Sequence, residues 1–165
     1  MNDREQGFAD YFASRSSALR GTAYLLCGDW HRAEDLVQTT FVKLYRAWHR
    51  ITARGTLDAY ARQVLVRTYL DENRRGFFFR EKPTADHTDA SAPPAGSTED
   101  RLVLLRALGE VPPRQRATLV LRYWEDMSVE DTARALGCTK GTVKSQAARG
   151  LDALRDIVPT TAFTN

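Results

Sequence analysis

The sequence predicts an all-α chain of two small helical domains joined by a flexible linker. Apolar residues recur at three- and four-residue spacing in both halves, and no stretch alternates for long as a strand would. Composition then changes sharply at residue 76, where Pro83, Pro93, Pro94, Gly96 and a run of Thr, Ser and Asp replace the helical period. The expected division is a first domain over 1–75, a linker over 76–97, a second domain over 98–158 and a tail over 159–165.

In the first domain, Phe8, Tyr11, Phe12, Leu19, Thr22, Ala23 and Leu26 lie on one face of a helix. Cys27-Gly28-Asp29 ends it and offers Asp29 as the next N-cap. A second helix buries Ala33, Val37, Thr40, Phe41, Leu44, Tyr45 and Trp48, leaving Glu34, Asp35, Gln38, Thr39, Lys43 and Arg46 on its polar face. After a break at Thr52–Gly55, a third helix runs from about Leu57 to Arg75, with Leu57, Tyr60, Ala61, Val64, Leu65 and Thr68 along one side.

The second domain opens with Ser97-Thr98-Glu99-Asp100, a capping-box pattern, followed by a short stripe of Leu102, Leu105 and Leu108. Val111-Pro112-Pro113 breaks the chain. Proline suits a first helical turn, so Pro113 opens a helix expected to carry Ala117, Val120, Leu121 and Trp124 inward. Ser128-Val129-Glu130-Asp131 caps a helix of two turns that stops at Gly137, and Thr139 caps a last helix burying Val143, Ala147, Gly150, Leu151 and Leu154.

Two short helices joined by Leu136-Gly137-Cys138-Thr139 make a helix-turn-helix candidate. Ala133 is small where the helices would cross, Gly137 supplies a positive φ, and Val143 faces the hinge. The far side of the last helix presents Lys140, Gly141, Thr142, Lys144, Ser145, Ala148 and Arg149, short or cationic side chains suited to base edges and phosphates. A plain helical hairpin with a solvated face has the same spacing, so both readings stand on geometry alone. Lys140, Lys144 and Arg149 would neutralise only a handful of phosphates, so this domain alone should bind DNA weakly and need a second contact or a larger partner.

Composition narrows the classes further. The chain has 165 residues, 42% of them hydrophobic, a net charge of +3 and two cysteines. Charge is segmented: 12 cations face 9 anions over 1–75, 2 face 5 over 76–100, and 10 face 7 over 101–165. Two mildly basic domains therefore flank an acidic tether. Arg4, Glu5, Asp10, Arg15 and Arg20 rule out a signal-peptide core, and no window approaches the ~18 uncharged apolar residues of a membrane span, so a soluble, cytoplasmic protein is expected. Cys27 and Cys138 lack metal-site spacing and read as small buried apolar residues; neither metal nor cofactor is expected. His31, His49 and His87 sit near a helix start, at a helix end and in the linker, with no nucleophile or paired carboxylate placed by spacing, so the chain does not read as an enzyme.

The run AEDLVQTTFVKLYRAW (33–48), the run VPPRQRATLVLRYWEDMSVEDTARALGCTKGTVKSQAARGLDALR (111–155) and the linker between them together resemble the extracytoplasmic-function (ECF) sigma factors of bacterial RNA polymerase, most of all the actinobacterial SigE-type branch. The resemblance implies that the first domain docks on the clamp of the polymerase largest subunit and opens the −10 promoter element. It implies that the second domain sits on the flap of the second-largest subunit and reads the −35 element. The family's members are often silenced by an anti-sigma factor, so the resemblance admits that partner too. With only about ten residues after Leu154, no further regulatory domain is expected.

Carried over by position, the resemblance makes Glu34, Asp35, Gln38 and Thr39 the polymerase-binding surface. For the −10 element it points to His49, Arg50 and Arg54 in and beside the loop 49–56, and to Tyr60, Gln63, Arg67, Arg74 and Arg75 on the helix beyond it. Melting calls for aromatic and cationic groups that can hold an unstacked base and a separated backbone. For the −35 element it points to Arg122, Lys140, Thr142, Lys144, Ser145, Ala148 and Arg149. The chain departs from the family pattern at Thr39 (usually Glu), Tyr60 (commonly Trp), Arg67 (commonly Asn), Gln146 (usually Arg) and Ala148 (usually an aromatic or histidine). The rival reading is a helix-turn-helix regulator that binds an operator without polymerase.

Overall fold

Helix caps written into the sequence set several of the element boundaries. The computed structural model describes residues 2–51, 57–79 and 98–158, and every element among them is helical. Helix α1 spans Asp3–Cys27, α2 Trp30–Ile51, α3 Leu57–Phe79, α4 Thr98–Glu110, α5 Pro113–Leu119 with a π-helical turn over Val120–Trp124, α6 Val129–Leu136 and α7 Lys140–Ile157. Asn2 and Glu5 form a reciprocal capping box at the start of α1. Gly28 ends that helix in the left-handed region at φ 75°, its N–H donating to the Tyr24 carbonyl. The expected Asp29 cap is present: its Oδ1 accepts from the His31 N–H at 2.9 Å. Ser128 accepts from the Asp131 N–H at 3.0 Å, but the Asp131 carboxylate turns to Arg134 at 3.1 Å, so this box closes on one side only. The expected Ser97 cap lies outside the described residues.

The first lobe packs α1, α2 and α3 around Leu19, Ala23, Leu26, Leu36, Val37, Phe41, Leu44, Ala61 and Leu65, each buried. Fully burying one such leucine stabilises the fold by about 1.5–3 kcal/mol. An aromatic cluster fastens the start of α1 to the end of α2, with Phe8 edge-on to Trp48 at 5.4 Å and to Tyr45 at 5.1 Å. Tyr45 and Phe12 remain 51% and 43% exposed, so the apolar faces expected of α1 and α2 narrow at these two positions. Helix α3 buries Val66 and Tyr69 in addition to the expected side, because a second layer of helices covers its other face. It also runs on through Gly76 to Phe79, past the expected stop at Arg75.

In the second lobe, Pro113 does open a helix, and Ala117, Val120 and Leu121 are buried as expected. Trp124 is not inward: it is 56% exposed. The π-helical turn causes this, because each of its residues advances less around the axis than an α-helical residue, and the seventh position after Ala117 rotates out of the core. Leu102 is likewise 41% exposed, leaving Leu108 as the buried residue of the α4 stripe. Helices α5 and α7 approach closely where α7 has Gly150; a Cβ there would stand 2.8 Å from Leu119 Cδ1. Cys27 and Cys138 are both free and partly buried, and burial pushes the Cys27 thiol above its ordinary value.

The two lobes pack against each other rather than standing apart. Ala117, Val120, Leu121, Met127, Ala135 and Leu136 join the same apolar cluster as the first-lobe core. Arg116 crosses between lobes with its guanidinium buried, donating to the Leu26 carbonyl at 2.5 Å and to the Val111 carbonyl at 3.4 Å. Among the described residues no carboxylate pairs with it, and burial lowers its affinity for the proton. Glu125 joins the lobes at a second point, meeting Arg62 Nε at 2.8 Å and accepting from the Thr22 hydroxyl at 2.5 Å. Arg67 makes a third, donating to the carbonyls of Ala135 at 2.9 Å and Arg134 at 3.1 Å.

Candidate nucleic-acid interface

The helix-turn-helix is built by its caps. Gly137 takes φ 68° and its N–H donates to the Ala133 carbonyl, ending α6; two residues later Thr139 Oγ1 accepts from the Thr142 N–H at 3.1 Å, starting α7. A left-handed residue followed by a polar cap turns the chain within three residues. Ala133 and Val143 are buried at the crossing, as the spacing predicts, and Ala147 and Gly150 continue the buried face of α7.

On its other side α7 presents Lys140, Lys144, Ser145, Ala148 and Arg149, all exposed, with Thr142 half-exposed at its start. The −35 candidates on α7 are thus gathered on one helix face, as a major-groove reader requires. Lys140 is drawn towards Glu130 at 3.4 Å, an exposed pair that a phosphate could replace at little cost. Ser145 Oγ donates back to the Thr142 carbonyl at 3.1 Å. Arg122 comes from the π-helical turn instead: its guanidinium donates to the Met127 carbonyl and lies 5.8 Å from the centre of the Tyr123 ring. Gln146 is half-buried.

The polymerase candidates also share a face. Glu34, Asp35 and Gln38 are exposed on α2 and Thr39 is half-exposed, within two turns. Arg20 reaches Glu34 at 4.0 Å, and Lys43 is tied to the Thr68 hydroxyl at 2.8 Å.

The −10 candidates are distributed differently. His49 and Arg50 are exposed at the end of α2, while Arg54 lies outside the described residues. Tyr60 packs against the core and is half-buried, as is Gln63. Arg74 pairs with Asp71 at 3.1 Å, and Arg75 is exposed. Arg67 is engaged by α6, as described above. Sequence reasoning missed the residues that join the lobes, Thr22, Arg62, Arg116 and Glu125. No periodicity marks a polar residue whose partner lies 63 to 103 positions away.

The geometry defines a two-lobed helical chain ending in a helix-turn-helix with an exposed cationic second helix, and known families match both lobes. The model of Sigma-70 region 2 matches residues 12–76, and that of Sigma-70, region 4 matches residues 101–154. The RNA polymerase sigma-E factor of Streptomyces avermitilis is 41% identical over 152 residues, covering 90% of this chain and 83% of that protein. The ECF RNA polymerase sigma factor SigE of Mycolicibacterium smegmatis is 35% identical over 141 residues, covering 81% of this chain and 54% of that protein. Among solved structures, the sigma factor RpoE of Bartonella quintana, determined with the anti-sigma factor NepR, superposes with a TM-score of 0.76 at 26% identity, covering 92% of this chain and 96% of that one. The chain belongs to the ECF family of RNA polymerase sigma factors.

Proposed function

We propose that the chain is an alternative sigma factor that binds core RNA polymerase, brings it to promoters bearing −35 and −10 elements, and assists strand opening. The observation that carries this is the single exposed face of α7, held by the Gly137–Thr139 turn, in a chain whose α2 offers a separate acidic and polar face. In this reading Glu34, Asp35, Gln38 and Thr39 engage the largest-subunit clamp, and the second lobe rests on the flap of the second-largest subunit.

Arg122 and Lys144 suit phosphates, with Lys140 beside them, while Thr142, Ser145, Ala148 and Arg149 meet base edges. At the −10 element, Tyr60, Gln63 and Arg67 face the unstacked strand, and His49, Arg50, Arg54, Arg74 and Arg75 hold its backbone. Polymerase carries the chemistry. Weak individual contacts suffice because, with one lobe bound, the other reaches its site as an effectively intramolecular partner. An anti-sigma protein that covers the polymerase-binding faces is a further partner, supported by the likeness to RpoE, which was determined with NepR.

Runoff transcription with purified core on genomic fragments tests the reading: new start sites are expected only when the chain is added. Gel shifts separate the rival regulator, which would retain DNA without core, whereas a sigma factor needs core to do so. A folded chain that redirects core to no new start sinks the proposal.

A further inference from the structure

The π-helical turn over Val120–Trp124 places Arg122, Tyr123 and Trp124 at the surface, and the two aromatics belong to neither the −35 nor the −10 set. Tyr123 is 59% and Trp124 56% exposed, more than any other described phenylalanine, tyrosine or tryptophan. Single π-turns set into helices occur frequently at functional sites. Large amphipathic rings are enriched where a surface meets a partner.

Arg122 ties the turn to the helix-turn-helix. Its guanidinium donates to the carbonyl of Met127, the residue before the Ser128 cap of α6, and stands 5.8 Å from the centre of the Tyr123 ring. The turn that brings Met127 there is held closely: the Glu125 N–H donates to the Val120 carbonyl at 3.0 Å and the Met127 N–H to the Leu121 carbonyl at 2.9 Å. Between them Asp126 takes φ 54°, the one positive value outside glycine among the described residues. Backbone strain of this kind persists where the surroundings fix it, and it collects at functional sites. Glu130 in the first turn of α6 reaches Lys140 in the first turn of α7 at 3.4 Å, so the two helix starts lie together. Arg122 and Tyr123 therefore continue, past the start of α6, the side on which α7 presents Lys140, Lys144 and Arg149. Of the nearby carboxylates, Glu125 turns to Arg62, Glu130 to Lys140 and Asp131 to Arg134, which leaves Asp126 alone to oppose an approaching anion.

We propose that Arg122 and Tyr123 form a phosphate clasp at the flank of the −35 site, in which Tyr123 is a positioning residue whose ring holds the Arg122 guanidinium for a backbone phosphate while α7 reads bases. The inference deepens the sigma-factor reading and rests on its assignment of Arg122 to DNA. A planar guanidinium can lie on an aromatic face and keep its edge for an anion, and the remaining donors of Arg122 have no partner among the described residues. A guanidinium already held by a ring and a carbonyl loses less freedom on taking a phosphate than a free one would.

Holoenzyme assembled from core and the full chain is titrated onto a fluorescent duplex of a promoter mapped by runoff, between about 50 and 200 mM salt. Arg122→Ala should flatten the slope of log affinity against log salt by about one. Tyr123→Ala and Tyr123→Leu should each weaken binding about two- to fivefold, and Tyr123→Phe should rescue it, because the ring rather than the hydroxyl carries the effect. In the Arg122→Ala background, Tyr123→Ala should cost nothing further. Affinity for core without DNA should match the parent in every variant. Circular dichroism checks helicity, and if Tyr123→Ala loses it, Tyr123→Leu decides. Tyr123→Phe as damaging as Tyr123→Ala, or full additivity with Arg122→Ala, overturns the clasp. Lost affinity for core at an unchanged salt slope also overturns it and makes the aromatic pair a polymerase contact. If the parent redirects core to no promoter, the sigma-factor reading fails, and the same variants are compared in gel shifts of the chain alone on genomic fragments. Weaker retention by Arg122→Ala and Tyr123→Ala, rescued by Tyr123→Phe, then supports the clasp; equal retention, or none by the parent, overturns it as well.

Discussion

Replacing Gly137 by alanine tests the turn on which the placement of α7 depends. The backbone there has φ 68°, where a Cβ crowds the following carbonyl at a cost of about 1–2 kcal/mol. The added carbon would meet Arg67 Nη2 at 3.4 Å, an ordinary contact, so the backbone term decides the result. For a domain of this size each kcal/mol moves the melting temperature by about 2–4 °C, giving an expected fall of about 2–8 °C. Two controls isolate the cause. Gly28→Ala has the same handedness at φ 75° and nothing within 4 Å, and should cost a similar amount. Gly137→Asn should cost less, because asparagine tolerates this region. Urea unfolding followed by circular dichroism reads all three variants. Gly137→Ala as stable as the parent, or Gly137→Asn as damaging as Gly137→Ala, would refute the backbone argument.

Arg149→Ala should lower runoff from a cognate promoter about tenfold while leaving helicity and core binding intact, as expected for a base-reading side chain on an exposed face. Leu65→Ala empties a fully buried position and should cost about 2–5 kcal/mol in urea unfolding. Stability should fall as pH rises past 9, through the range where an ordinary thiol and then an ordinary phenol ionise. Burial raises Cys27 from 9.0 and Tyr69 from 10.0, and burial with the bond to Asp58 raises Tyr11 from 10.0, so the folded chain keeps protons that the unfolded chain releases. Arg116 acts in the opposite sense, because burial lowers its folded value and lets the folded chain lose that proton before the unfolded chain does. A urea midpoint that is flat between pH 8 and 10.5 would count against this assignment.

The parts legible in the sequence are those governed by local rules. Caps at Asp29, Ser128 and Thr139 and the left-handed glycines at 28 and 137 place helix ends within a residue or two, since each depends on a side chain a few positions away. The exposed face of α7 follows from its period. Trp124 and Tyr45 depart from the burial their spacing predicts for separate reasons. A π-helical turn changes the angular step that the α period assumes, and an aromatic on a helix edge can lean on a neighbour such as Phe8 while half of it stays in water. The packing of the lobes was not legible at all. Val66 and Tyr69 lie off the expected apolar side of α3, and the helices that cover them are far away in sequence, beyond the reach of a local period.

The apolar cluster that runs unbroken from Leu19 on α1 to Leu136 on α6 has a thermodynamic consequence of its own. Two domains that merely share a tether melt independently, each with its own midpoint. Here neither lobe can lose its interior without stripping a wall from the other, so the chain should melt as one cooperative unit with equal calorimetric and van't Hoff enthalpies. Any perturbation that parted the lobes would remove that mutual support, and each would then draw its stability from whatever covered the exposed side of α3 and the helices that faced it.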